Sequence, residues 1–261
     1  MLLGNISAVV TFHNEGLLAH KTLLGLERVR IYATAVGLRV ELVIVLDSAD
    51  IETTRVVTSS PILRSSDILI KVKNGDLGAS RNDGVSAASG EYISIFDGDD
   101  YYSENWLFEA LNTAINRRGD VIIHPDYIVS FGTVYSIGRV LDMDLNPDYP
   151  IANLFSVHPW VSSSFGKKDI YLKFPFVRSD TKITGFGFED WHWNLELVAH
   201  GVRHISASNT AIFYRRKPSS MLACQVSENA IVRPSIFFVN TKSWNIERWR
   251  QIVGMSDSVE K

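Results

Sequence analysis

The chain has 261 residues, 46% of them hydrophobic, with 26 basic and 29 acidic side chains and a net charge of −3. That length suits one large domain or two small ones with a substantial core, and the near-balance of charge argues against general nucleic-acid binding. The single cysteine, Cys224, excludes an intrachain disulfide. Met1-Leu2-Leu3-Gly4 lacks a basic leader region, and no apolar run approaches the ~20 residues of a membrane helix. The expectation is a cytoplasmic protein that can still work at the inner face of the membrane.

In chain order, the pattern predicts a buried strand over 6–12, a polar loop His13-Asn14-Glu15-Gly16, and a helix over 17–36 that ends at Gly37. A second strand is expected over 40–46, ending at Asp47, then a short helix over 50–58 with Asp50 as its N-cap. A third strand, 68–72, leads through Asn74-Gly75-Asp76-Leu77-Gly78 to a helix of small residues, 79–89, closed by Gly90. The next strand, from Tyr92 to Phe96, stops in Asp97-Gly98-Asp99-Asp100, before a helix over 103–116 and a strand at 121–123. Strand and helix alternating with short connections predict a mainly parallel sheet with helices on both faces. Ligands of such sheets bind beyond the carboxyl ends of the strands, where His13, Glu15, Asp47 and the Asp97 cluster all collect.

Three carboxylates around one glycine repel one another unless a cation sits among them. The two-residue spacing of Asp97 and Asp99 lets both face one hard ion, Mn²⁺ or Mg²⁺. As a local signal, the same residues also make an ordinary acidic turn. After Pro125 the alternation weakens. Strand and turn are expected over 127–134 and 160–168, with a proline-containing acidic loop over 142–150 between them. Gly185-Phe186-Gly187-Phe188-Glu189-Asp190-Trp191 opens a helix with Trp191, Leu195 and Val198 at core spacing, Trp193 and Leu197 widening that face, and Gly201 as its stop. Glu189 and Asp190 in its first turn suit the helix dipole, and equally suit a general base. Phe186, Phe188 and Trp191 are candidates to stack on a sugar, whereas Trp193 belongs to the core. A strand over 203–214 precedes Arg215-Arg216-Lys217, three cations that suit a diphosphate. Residues 244–253 form an amphipathic pattern that packs on the body or touches a membrane surface or a partner protein.

Taken together, Val9-Val10-Thr11-Phe12-His13-Asn14-Glu15, Val45-Leu46-Asp47-Ser48, Asn74 to Asn82, Gly90 to Asp100 and Phe188-Glu189-Asp190 closely resemble the family 2 glycosyltransferases of the GT-A fold. The resemblance covers roughly residues 5–125, then 187–190 and 214–221. It implies a Rossmann-like, mainly parallel α/β sheet in one GT-A domain. Residues 1–125 would form the nucleotide-sugar half, 126–240 the acceptor half, and 241–261 a helical tail. It further implies that Thr11, His13, Glu15, Asp47, Asn74, Gly78, Arg81, Asp97 and Gly98 face the nucleotide, with Arg81 either reaching phosphate or fixing the carboxylates. Asp99 and Asp97 would hold the metal, Arg215, Arg216 and Lys217 the diphosphate, and Asp190 beside Glu189 would be the base. The chain departs from the pattern at Phe12, where a proline is common, and at Lys217, where the family often has a histidine ligand. A protonated lysine has no lone pair to give a metal.

The implied reaction moves a sugar from a UDP- or dTDP-sugar to a saccharide or glycolipid hydroxyl with inversion, in the making of surface polysaccharide. A nucleotidyltransferase on a similar fold would be expected to have a basic, glycine-rich loop where Asn14-Glu15-Gly16 stands. A non-catalytic binding module of a larger assembly would not need Glu189 and Asp190 intact. Nothing in the sequence sets the oligomeric state.

Overall fold

The computed structural model describes residues 4–218 and 220–239, so the tail expected at 241–261 lies outside the described residues. The first half follows its periodicity: β1 (Asn5–Phe12), α1 (Leu17–Ala35), β2 (Arg39–Asp47), α2 (Ile51–Thr58), β3 (Ile68–Val72), α3 (Leu77–Ala87), β4 (Tyr92–Asp97), β5 (Tyr101–Tyr102) and α4 (Trp106–Ile115). Asp50 caps α2 by accepting from the Thr53 N–H at 2.6 Å. α3 starts earlier than its apolar pattern suggests, because Asp76 caps it through the Ala79 N–H at 2.8 Å.

The second half contains β6 (Val121–Gly132), β7 (Ser136–Arg139), a 3-10 turn (Ile151–Phe155), β8 (Ser164–Lys167), α5 (Lys168–Lys173), α6 (Thr181–Thr184), β9 (Phe186–Gly187), α7 (Glu189–Ala199), β10 (Arg203–Arg216), α8 (Met221–Ser227), β11 (Ile231–Val232) and α9 (Ile236–Val239). The two short strands expected at 121–123 and 127–134 are one continuous β6. Pro125 falls between the β8 pairing at Ile123 and the β7 pairing that begins at Tyr127, a gap in the ladder where a missing N–H costs little. Arg215 and Arg216, expected just after the strand, are the last residues of β10.

The main sheet runs β3-β2-β1-β4-β8-β6-β10-β5, with β7 beside β6. β1 to β4 are parallel, β8 enters antiparallel between β4 and β6, and β6 and β10 are parallel. Alternate strand residues feed opposite faces. Ala8, Val10 and Phe12 pack with Leu23, Leu26 and Trp106. Val9, Val43, Val45, Ile93 and Ile95 pack with Val85, Tyr171, Trp193 and Leu197. A third, smaller cluster joins Val140, Leu154, Trp160, Leu195 and Phe237. α7 therefore lies between two apolar bodies, with Trp193 and Leu197 in one and Leu195 in the other.

Gly90 does not close α3, which ends at Ala87. It is needed for contact: a Cβ there would lie 2.6 Å from the Ser7 backbone nitrogen on β1. Gly90→Ala is expected to cost about 1–3 kcal/mol by overpacking. In thermal unfolding that is a midpoint lower by several degrees, at ~2–4 °C per kcal/mol for a chain of this size. An unchanged midpoint would mean that the 88–91 turn is not held against β1.

Candidate active site

Strand register assembles the site. Thr11 pairs with Asp97 and Phe12 with Leu46, so β1, β2 and β4 end together. β5 then runs antiparallel to β10, pairing Tyr101 with Phe213, which brings the end of β10 back to the aspartate-rich turn. Gly98 is required there by close approach. A Cβ would meet the Thr11 carbonyl at 2.5 Å and the Phe12 ring at 2.7 Å.

At the centre is Arg81 on α3, 1% exposed. Its Nη2 donates to Asp97 Oδ1 at 2.9 Å and its Nη1 to Glu189 Oε1 at 2.8 Å. Its guanidinium lies over the Phe176 ring, 5.4 Å from the centroid. Of the two roles open to Arg81, the structure supports fixing the carboxylates: a guanidinium this buried does not present itself to a phosphate. The Ser162 hydroxyl donates to the other oxygen of Asp97. The neighbouring Asn82 ties down the segment after α5, donating to the Phe176 carbonyl at 2.8 Å and accepting from the Phe176 N–H at 2.9 Å.

Glu189 and Asp190 differ in surroundings. Glu189 is buried, and burial pushes its carboxyl up to about 7 against the pull of Arg81. The Asp190 side chain is 23% exposed. Burial raises its carboxyl as well, opposed by Arg81 and by the Trp191 N–H, which donates to Oδ1 at 2.8 Å. Phe188, just before α7, has φ +56°, a left-handed conformation that costs a non-glycine residue about 1–2 kcal/mol. Gln225 on α8 holds that turn by accepting from the Phe188 N–H at 3.2 Å.

Across the rim, Lys217 Nζ lies 2.5 Å from Asp99 Oδ2. Arg215 is committed to the turn itself. Its N–H donates to Asp100 Oδ1 at 2.7 Å, its Nε to the Asp99 carbonyl at 3.1 Å and its Nη2 to the Tyr101 hydroxyl at 2.6 Å. Arg215 is thus a strut of the turn before it is a diphosphate ligand. Arg216 lies over the Tyr214 ring at 5.3 Å. Asp100 is buried and its carboxyl is raised well above the usual range, by burial and then by Asp99 and Asp97. Glu15 is raised by burial, with Asp99 adding to it, and Lys217 opposes the rise, so these three side chains share one field.

The expected nucleotide loop is held internally. Asp47 Oδ1 accepts from the N–H groups of Asn74 and Gly75 at 2.8 and 3.0 Å, and Oδ2 from that of Asp76 at 3.2 Å. Burial alone would raise Asp47, but these bonds keep its carboxyl below the ordinary value. His13 is exposed, with Nδ1 2.6 Å from the Asp47 carbonyl. The Asn74 amide donates to Ser80 and Asp83. Gly78 meets the chain instead of a ligand, since a Cβ there would stand 2.8 Å from the Val177 carbonyl.

Among the described residues, no three His, Cys, Asp or Glu side chains converge as a metal cage. Asp97 is engaged by Arg81 and Ser162, and Asp99 by Lys217. Asp99 Oδ1 accepts no hydrogen bond among the described residues. A hard ion held by one carboxylate with donor phosphate oxygens and water fits this donor set, whereas a site built from protein ligands alone does not.

Residues 7–176, more than half of the chain, match the family described as glycosyl transferase family 2. The chain belongs to glycosyl transferase family 2. Among curated relatives, EpsH of Bacillus subtilis (strain 168), whose name assigns it as a glycosyltransferase, is 29% identical over 132 residues, 51% of this chain and 32% of that protein. The cholesterol galactosyltransferase of Borreliella burgdorferi is 30% identical over 107 residues, 38% of this chain and 28% of that protein. The matches span about a third of each relative's length. S. aureus TarS 1-349, solved with UDP-GlcNAc, superposes with a TM-score of 0.63 at 15% identity, over 98% of this chain and 74% of that one. The mannosyltransferase PcManGT of Pyrobaculum calidifontis, solved with GDP-Man and Mn²⁺, gives 0.54 at 15% identity, over 80% and 56%. These likenesses establish the GT-A fold of this family 2 chain.

Sequence reading missed Ser162, Gln225 and His158, whose ring Nδ1 lies 3.9 Å from Asp190 Oδ2. None of them has a local signal. Each is recruited by a contact from more than 30 residues away. Trp193 is core, as expected, and Trp191 is held by its indole N–H on the Leu154 carbonyl at 3.0 Å.

Glu189 binds its proton more tightly when folded, with an affinity near pH 7 against the ordinary 4.5. The folded state therefore holds more protons between those values, and this group's contribution to stability falls as pH rises through the window. Glu189→Gln is expected to flatten the decline of the unfolding midpoint between pH 4.5 and 7. An equally steep decline in the variant would place the titrating group elsewhere.

Proposed function

We propose that this protein transfers a sugar from a nucleotide-diphosphate sugar to a hydroxyl group, with inversion at the anomeric carbon. The observation that carries this is the division between the two neighbouring carboxylates. Glu189 is buried and paired with Arg81, so it positions the site. Asp190 stays partly open at the start of α7 and serves as the base.

In the reaction, the acceptor O–H gives its proton to Asp190 as its oxygen bonds to the anomeric carbon. The bond from that carbon to the diphosphate breaks, and the electron pair leaves with the diphosphate. Lys217 offsets the leaving charge, with Arg216 beside it. An Mn²⁺ or Mg²⁺ ion, held by Asp99 with phosphate oxygens, would add Lewis-acid neutralisation when bound. Asp47 Oδ2 favours a uracil or thymine N–H. Thr11, His13 and Glu15 line the ribose side in this reading. In this reading Asp190 acts from the face opposite the leaving group, and direct displacement from that side inverts the anomeric carbon. The acceptor is assigned to saccharide or glycolipid chemistry by family analogy, and a relative named for cholesterol galactosylation is in keeping with a lipid-borne hydroxyl.

The test is thermal unfolding with UDP, dTDP and GDP, each with Mn²⁺, with Mg²⁺ and with chelator. A ligand at a hundred times its dissociation constant adds ~2.7 kcal/mol. We expect a shift of a few degrees with one pyrimidine nucleotide, reduced by chelator. Asp190→Asn should keep that shift and lose sugar transfer. The reading fails if no nucleotide shifts the midpoint, or if Asp190→Asn transfers sugar at the parental rate. Release of pyrophosphate from a nucleoside triphosphate would make the protein a nucleotidyltransferase instead.

A further inference from the structure

A titratable ring stands beside the base, and the reaction as described does not use it. His158 lies between the 3-10 turn and β8. Its imidazole is parallel to the Trp191 indole, with centroids 5.6 Å apart and 8° between the planes. Trp160 closes on it nearly edge-on, at 6.4 Å. The Asn194 Nδ2 lies 2.8 Å from His158 Nε2, and His158 Nδ1 lies 3.9 Å from Asp190 Oδ2. Asp190, Trp191 and Asn194 all belong to α7, so the helix that carries the base also grips the ring.

With the Asn194 amide turned as it is here, its N–H faces Nε2, and an amide N–H donates only to a ring nitrogen that carries no proton, so this orientation puts the proton of the neutral ring on Nδ1. Burial keeps the ring neutral, lowering its proton affinity to about 3. The Nδ1–H is then the ring's donor nearest Asp190, with the nitrogen 3.9 Å from Oδ2. A separation of 3.9 Å is longer than a hydrogen bond, and catalytic contacts commonly tighten only when substrate is present. The other Asp190 oxygen is fixed by the Trp191 N–H, and among the described residues no hydrogen bond reaches Oδ2. Oδ2 is therefore the oxygen left for an acceptor hydroxyl.

We propose that His158 is a positioning residue for the reaction, its Nδ1–H orienting Asp190 Oδ2 and favouring the ionised carboxylate. The proposal rests on Asp190 as the base. The charged and titratable groups facing Asp190 are Arg81 from α3, Asp97 from the end of β4, Glu189 on α7 itself and Tyr214 from β10. Arg81 is the one cation among them and is already shared by Asp97 and Glu189. His158 adds an uncharged donor aimed at Oδ2, and a neutral ring supplies it throughout the range in which the base works.

The first test needs no substrate. Long-range ¹H–¹⁵N correlation of the imidazoles in the full chain should show His158 neutral and protonated on Nδ1 from pH 5 to 8. Its signals should move in Asp190→Asn. Turning the Asn194 amide over would exchange its Oδ1, now buried without a partner, for the Nδ2 and put the proton on Nε2. An Nε2–H ring, or one that protonates near 6.5, therefore overturns the proposal.

The second test uses nucleotide release from the sugar nucleotide whose nucleotide shifts the unfolding midpoint. His158→Phe keeps an aromatic ring against Trp191 and removes the donor. It should lower kcat about 10-fold with an unchanged donor KM, and move the acid limb of the profile up by about one pH unit. His158→Asn, which puts an amide near the Nδ1 position, should recover much of both. Parental kcat and pH profile in His158→Phe, with Asp190→Asn inactive, would leave the base in place and remove His158 from the reaction. Full activity in Asp190→Asn would remove both.

Discussion

The structure depends on one buried cation held between two carboxyl groups. Asp97 lies 16 residues after Arg81 and Glu189 lies 108 after it, and the guanidinium holds both within 3 Å. A charge so thoroughly removed from water persists only when it is paired. The pairing is therefore a folding constraint. α3, the end of β4 and the start of α7 must all arrive before the guanidinium has both of its carboxyl partners. It also separates the surroundings of two adjacent residues: Glu189 faces Arg81 and is buried, while the Asp190 side chain is 23% exposed. The left-handed Phe188, held by Gln225, immediately precedes the pair.

The rest of the site follows from sheet order. The parallel strands β3-β2-β1-β4 deliver their polar ends to one rim. β10, paired with β6 and then with β5, brings Arg215, Arg216 and Lys217 to the same rim from the opposite half. The acidic turn is thus met by cations on two sides, Arg81 behind it and Lys217 in front. These cations offset part of the repulsion in the turn, while Asp100 is still raised by Asp99 and Asp97.

Much of this was legible in the sequence, because it is local. The first four strands, the Asp50 cap and the collection of polar residues at strand ends are written in period, capping chemistry and β propensity. The residues that went astray are those whose role depends on a distant partner. Gly78, Gly90 and Gly98 look like turn formers, yet each is present because another segment passes within about 3 Å. Arg81 looks as ready for a phosphate as for a carboxylate until its two partners are placed. Pro125 looks like the end of a strand until the gaps in neighbouring ladders are known. Arg215 reads as one of three free cations, but it stitches the turn to β10. The register of an antiparallel pair such as Tyr101 with Phe213 has no signature in either segment.

The connection between β7 and β8 has an apolar nucleus of its own, with Val140, Leu154 and Trp160 closing on Leu195 and Phe237. It leaves the sheet after β7 and re-enters it at β8, so its length is not fixed by any strand pairing. Loops can be exchanged or lengthened there while β1 to β4 and the Arg81 pairings stay as they are. A new segment there would still have to offer a ring to Trp191, an apolar face to Leu195 and a hydroxyl to Asp97, as His158, Leu154 and Ser162 do now.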